Sequence, residues 1–197
     1  MKNRSFWLAL GLVSLLGLSA CSQDKPAFRG VDITGADYAQ GWELSDQDGR
    51  VRTLKDFSGK VVVVFFGFTQ CPDVCPTALQ EIAEAKQLMG EDGGKLQGIF
   101  ITIDPERDAP ELLKAYVANF GNDFVALRPA PEQLPKVAKD FKIYYKKVDG
   151  KTPTSYSMDH SAGSFTFDPQ GRIRLYNRHA SGAAALAADA RILLSGK

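Results

Sequence analysis

The spacing of apolar residues changes character several times along this chain, and each change marks an element. Residues 60–66, KVVVVFF, form a dense β-branched and aromatic run, which predicts a strand covered on both faces. Residues 98–103, GIFITI, predict a second. Between them Leu79, Ile82, Ala83 and Met89 recur at helical spacing up to Gly90, a plausible stop. Strand, helix and strand in that order imply a right-handed crossover in a parallel sheet.

The same reading extends to both sides. WELSDQDGRVRTL, residues 42–54, has an Asp-Gly turn between two half-apolar runs and predicts a hairpin. Asp108 with Glu111 three residues on resembles a capping box, and Pro110 sits where a helix's first turn tolerates it, so a second helix begins there. A short strand follows at residues 124–127, then a helix with Leu134, Val137, Ala138 and Phe141 on one face. SFTFDPQGRIRLY, residues 164–176, predicts another hairpin, turning at residues 168–171. Ser181 is placed as the cap of a closing helix with Leu186, Ala190 and Leu193 inward. The order of elements predicts an α/β, thioredoxin-like sandwich with an added N-terminal β-hairpin, spanning residues 41–197.

The N-terminal stretch is different. Lys2 and Arg4 precede an apolar run, residues 6–18, too short for a comfortable membrane span, and then Leu18-Ser19-Ala20-Cys21. This is the layout of a secretory signal, and the last four residues resemble the bacterial lipobox, whose cysteine is lipidated. Residues 1–20 are therefore read as a lipoprotein signal peptide, Cys21 as the lipidation site, and residues 21–40, polar and turn-rich, as a tether. These expectations place the domain on the periplasmic side of a bacterial membrane, with the choice between inner and outer membrane open. Processing would remove Lys2 and Arg4, leaving 22 basic against 23 acidic residues. Nothing in that balance provides a basic field for nucleic acid.

Processing would also leave Cys71 and Cys75 as the thiols, in FGFTQCPDVCPTALQE, residues 66–81. Pro76 keeps the helix from starting much before Asp73, so both sulfurs are expected at its N-terminus, on one face and about one turn apart. The unpaired amides and the dipole there are expected to favour thiolate over thiol. At that spacing the pair could close a disulfide or, reduced, clamp a soft cation. A third ligand would tip the balance towards metal. Two histidines are present. His179 shows no partner and is read as a solvent or capping residue. His160 lies in the loop before the strand at Ser164, which a thioredoxin-like layout brings towards the first helix, and is read as a ligand. Asp159 is a candidate to orient its ring, and Met158 is read as a packed loop methionine rather than a thioether ligand.

FFGFTQCPDVCPTALQEI, ITIDPERDAPELL and DHSAGSFTFDPQG, with DITGADY upstream, resemble the Sco/SenC family of copper chaperones for cytochrome c oxidase assembly. The resemblance runs from about Phe28 to the C-terminus. It implies a thioredoxin fold binding copper, as Cu(I) or Cu(II), through Cys71, Cys75 and His160. It implies delivery to the CuA-bearing subunit of the oxidase, or reduction of the cysteines there. Met158, Ala109 and Gln70 depart from residues common in the family, and none of these changes removes a ligand. Asp104 and Asp108 fall in a family motif but are read as a strand-end residue and a helix cap.

Three activities compete on this reading. A copper carrier needs an upstream copper donor and a thiol reductant, because a disulfide offers no thiolate. A thiol-disulfide oxidoreductase needs Cys71 and Cys75 but not His160, and the two roles could coexist. A peroxidase suits FTQC only faintly, and a zinc site ranks low for want of a polar substrate constellation. The absence of proline from residues 159–164, where a thioredoxin carries its cis-proline, favours metal over plain disulfide exchange.

Overall fold

A computed structural model of the protein describes residues 27–152 and 155–196. In chain order it contains β1 (Val31–Asp32), β2 (Glu43–Asp46), β3 (Val51–Thr53), β4 (Val61–Gly67), α1 (Val74–Leu88) and β5 (Leu96–Thr102). There follow α2 (Pro110–Ala118), β6 (Val125–Arg128), α3 (Leu134–Asp140), β7 (Tyr145–Asp149) and β8 (Tyr156–His160). The chain closes with β9 (Ser164–Phe167), β10 (Ile173–Asn177) and α4 (Ala183–Leu194).

Every residue of β4 and β5 is buried, as their continuous apolar runs require, and the two pair in parallel from Val61 with Leu96 to Gly67 with Thr102. They are the centre of an eight-stranded mixed sheet ordered β1-β10-β9-β4-β5-β6-β2-β3. Each large apolar side chain removed from water in this way contributes about 1.5–3 kcal/mol, so the sheet centre is the stable frame on which the loops are mounted. Helices α1 and α4 pack together, and Phe141 at the end of α3 stacks its ring on Phe66, Phe165 and Phe167. The architecture is the thioredoxin-like α/β arrangement, with the β2–β3 hairpin joined through β2 to β6 at one edge.

The two hairpin turns are wired alike. In each, one aspartate, Asp46 or Asp168, accepts hydrogen bonds from the amides two and four residues on, and a side-chain N–H of a nearby arginine, Arg52 or Arg172, binds its other oxygen. Gly49 and Gly171 supply the positive φ, 78° and 77°, that these turns need.

Several expectations are revised. The stretch expected as tether is part of the domain from Phe28 onward: β1 pairs with β10, Ala39 is buried, and Asp189 of α4 accepts the amides of Arg29 and Gly30. Its short, exposed strand carries no apolar period, which hid it. The signal peptide, Cys21 and the first tether residues lie outside the described residues. Ser181 does not cap α4, whose N-cap is Gly182; the serine hydroxyl turns back to the Arg178 carbonyl. Asp108 does not cap α2, whose N-cap is Ala109, because its carboxylate is drawn inward by two threonines. A third hairpin, β7–β8, was not anticipated. Among the described residues no helix is long and apolar enough to cross a membrane.

Candidate metal centre

Strand β4 delivers the chain to the site, and Gly67 sets how closely it arrives. A Cβ at that position would lie 2.7 Å from Cys75 Sγ and 2.8 Å from the Phe100 ring, so only glycine leaves room for the sulfur. The turn that follows is held from below: Asp108, fully buried, accepts from the Thr69 amide at 3.1 Å, the Thr69 hydroxyl at 2.6 Å and the Thr102 hydroxyl at 2.5 Å. Burial raises the Asp108 pKa above the usual carboxylate value, although these hydrogen bonds oppose it.

Cys75 lies in the first turn of α1 and is fully buried, whereas Cys71 sits in the turn before the helix and is half-buried. The two are therefore not on one helical face as expected. Instead the Cys75 amide points at the Cys71 sulfur, 3.4 Å away, so that sulfur occupies the place of a helix cap. Both thiols are free.

His160 ends β8 and reaches the same point. Its Nε2 is 3.6 Å from Cys75 Sγ, and its ring is packed edge-on against Phe65 and Phe68. Nδ1 lies 2.9 Å from the Ser161 carbonyl, which can only accept, so Nδ1 carries the proton and the Nε2 lone pair faces the sulfurs. The orienting group is thus this backbone carbonyl and not Asp159, which is exposed on the opposite side of the strand. Burial lowers the His160 pKa, with the Ser161 carbonyl and Asp159 opposing, which keeps the ring neutral and able to ligate.

The expected acid thiol is not found at Cys75. Its pKa is raised, first by burial and then by the Cys71 sulfur, which outweigh the Phe68 amide that favours the thiolate. Desolvation wins over the helix terminus here. Cys75 is therefore held as a neutral thiol until a cation replaces its proton.

Cys71, Cys75 and His160 present ligand atoms that all lie within 4.8 Å of one another. An ion bonded to sulfur at about 2.3 Å and to nitrogen at about 2.0 Å spans such a pair up to about 4.3 Å apart, so the 3.6 Å separation of Cys75 and His160 fits one shared ion. Two thiolates and one imidazole are a soft donor set suited to copper. The same two sulfurs lie within 4.8 Å of each other and would have to close to about 2.05 Å to form a disulfide. His179 is exposed and away from this group, and Met158 is buried in the apolar core.

The SCO1/SenC family model matches residues 31–195. The chain belongs to that family. Among its relatives, a SCO2-like protein of Rickettsia felis is 33% identical over 171 residues, covering 85% of this chain and 83% of its own length. The structure of Bradyrhizobium japonicum ScoI with copper bound is 36% identical with a TM-score of 0.70, covering 85% of this chain and 99% of that one. Apo Sco1 from Thermus thermophilus is 33% identical with a TM-score of 0.75, covering 85% and 97%.

Around the Sco/SenC cysteine turn stand residues whose part was not anticipated from the sequence. The Arg107 guanidinium lies 3.5 Å from the Tyr156 ring centroid and 5.9 Å from that of Phe68. It donates to the Tyr156 carbonyl, to Gln70 Oε1 beside Cys71, and to Asp104. Asp104 in turn accepts from the Tyr156 hydroxyl at 2.8 Å. Arg107 therefore ties the cysteine turn to the hairpin that carries His160. The DPER run marked this stretch, but nothing in its spacing pointed to Tyr156, 49 positions away.

Proposed function

We propose that this protein is a copper carrier, anchored through lipidated Cys21 on the periplasmic side of a bacterial membrane, that passes copper to the CuA-bearing subunit of cytochrome c oxidase. Sco family proteins act in cytochrome c oxidase copper assembly. Cys71, Cys75 and His160 would hold the ion, received from an upstream donor after a thiol reductant has opened any disulfide. One observation carries the reading: the imidazole of residue 160, 85 positions from Cys75, stands 3.6 Å from its sulfur with the lone-pair nitrogen inward. A redox dithiol has no need of such a group. The copper-bound ScoI relative, similar over most of its length, supports it. Three ligands also leave an approach for an incoming partner's donors, as a carrier requires.

Metal analysis of the reduced domain after gel filtration tests this. Wild type is expected to retain one copper per chain, His160→Ala to lose most of it, and Cys75→Ser to retain none. A wild type that emerges free of copper, or full retention by His160→Ala, overturns the reading.

A second reading has its own support. The two thiols are free and adjacent, and Cys71 is open to a partner while Cys75 is shielded, the asymmetry a thiol-disulfide oxidoreductase uses to attack with one sulfur and resolve with the other. It would keep oxidase CuA cysteines reduced. Reductase activity unchanged in His160→Ala, with no copper requirement in the cell, favours it.

A further inference from the structure

The ribbon that carries His160 differs in charge from the domain it is mounted on. The whole chain has 24 basic and 23 acidic residues, yet residues 136–151 hold six lysines against two acids, Asp140 and Asp149. Asp140 is already matched by Lys136 at 2.6 Å, and Lys147 turns back over the Tyr156 ring towards Glu106. Lys139 on the last turn of α3, Lys146 on β7 and Lys151 just beyond that strand are exposed and, among the described residues, make no ion pair. The result is a local positive field on a molecule with almost no net charge.

That field stands beside the metal ligands. Tyr145 pairs across the ribbon with His160, and Lys146 with Asp159. Strand alternation puts Lys146 and Val148 on the outer face, with Tyr144 in line before them. Val148 is 39% exposed and Tyr144 57%, but the tyrosine backbone is fixed to the residue after the ligand: its amide donates to Ser161 Oγ at 2.9 Å and its carbonyl accepts the Ser161 amide at 3.0 Å. A large ring held in water on a fixed backbone is the kind of anchor that protein interfaces bury.

We propose that the outer face of the β7–β8 ribbon, Tyr144, Lys146 and Val148 with Lys139 and Lys151 at its ends, is the docking surface for the protein that accepts the copper, which meets it with an acidic surface around its own metal site. This deepens the copper-carrier reading and rests on it. The lysines steer the acceptor towards His160, and Tyr144 and Val148 hold it once it arrives. The pattern favours a protein over an anionic membrane. Asp159 stands across from Lys146, and Asp73 is exposed between the two cysteines, so a uniformly negative sheet of headgroups is repelled at two points that a patterned protein surface can accommodate.

Stopped-flow binding of the reduced, metal-free domain to the soluble CuA-bearing domain of the oxidase tests the surface without requiring copper. The double variant Lys146→Glu with Lys151→Glu is expected to associate roughly tenfold more slowly at low salt, and its rate to respond less to added salt. Lys55→Glu with Lys95→Glu makes the same change in net charge next to the starts of β4 and β5, at the opposite end of the sheet from the metal site, and is expected to follow wild type. Tyr144→Ala is expected to leave association as it is and to speed dissociation roughly tenfold. Equal association of the ribbon variant and wild type, equal slowing in the Lys55 and Lys95 control, or a wild type that does not bind the CuA domain overturns the inference; so does a wild type that sediments with phosphatidylglycerol vesicles in place of that binding. A ribbon variant that self-associates while its monomer binds as wild type does also overturns it, and shows that the lysines serve only to keep the strand edge from pairing. Copper retention is read separately. A wild type that retains copper but fails the binding test sinks the docking surface alone, whereas one that retains none sinks the carrier reading, and the binding rates still decide whether the ribbon docks.

Discussion

At the scale of single residues, the site is governed by how little room and how little water Cys75 has. The helix terminus was expected to acidify both thiols, and at Cys75 the opposite holds, because taking the sulfur fully out of water costs its anion more than nearby amides return. Sequence spacing carries the dipole but not the depth of burial, so that part of the chemistry was not legible from CPDVC alone. Gly67 is the residue that permits this depth. Adding one methyl there places a carbon 2.7 Å from the sulfur and 2.8 Å from Phe100, both within a packed core that cannot yield freely. Gly67→Ala is therefore expected to destabilise the domain by about 1–3 kcal/mol and to weaken copper retention by pushing Cys75 Sγ off its line to His160 Nε2. Urea unfolding of the metal-free protein and chelator competition on the loaded protein measure the two effects. Unchanged retention in a folded variant would show that the sulfur's position is set by something other than this contact.

At the scale of elements, the strands and helices with buried faces were readable because burial imposes a period: the runs at β4 and β5, the helical spacing of α1 and the Asp-Gly turn of β2–β3 all appear where expected. The meeting of Cys71, Cys75 and His160 was readable too, since a thioredoxin-like layout brings the stretch before β9 towards the start of α1. What escaped notice is the β7–β8 ribbon, even though Asp149-Gly150 carries a hairpin turn signal. Four of the five residues of β7 are exposed, so no apolar alternation marked it. A ribbon so exposed depends on specific contacts, and Arg107 makes them by stacking on Tyr156 and binding its carbonyl and Gln70. Lysine would keep the charge but lose the planar fork and the stacking. Arg107→Lys is expected to loosen the ribbon by about 2 kcal/mol, raising amide exchange in β8 about thirtyfold while exchange in β4 stays as in wild type. Copper retention should fall with it, because His160 is carried on the loosened strand. Equal exchange in β8 of variant and wild type would show that the ribbon docks without the arginine.

At the scale of the whole molecule, the metal site stands at one end of β4, and the two aspartate-centred turns lie elsewhere in the same sheet, closing the hairpins β2–β3 and β9–β10. The carboxylates of these turns contribute to the response to acid. Burial alone would raise the Asp168 pKa, but the Arg172 side chain and amide together with Arg174 outweigh it and hold the carboxyl below its usual value; Asp46 is held down in the same way by Arg52 and the amides of Arg50 and Asp48. A carboxylate whose folded pKa is depressed binds protons less readily in the folded than in the unfolded chain, so stability rises with pH in that window. Its contribution is complete above the unfolded value of about 3.9 and is lost as the pH falls through the lower folded one. Asp108 runs the other way, since its raised pKa favours the folded state as protons are added, and it blunts the loss. Asp168→Asn removes the carboxylate charge that Arg172 meets at 2.8 Å and Arg174 at 3.2 Å. At neutral pH the variant is expected to be less stable than wild type by about 2 kcal/mol. As the pH drops below about 4 the gap should narrow, because wild type then loses by protonation what the variant already lacks. Denaturant midpoints of the metal-free domain across that range check the sign, and a gap that stays constant into acid would remove Asp168 from the acid response.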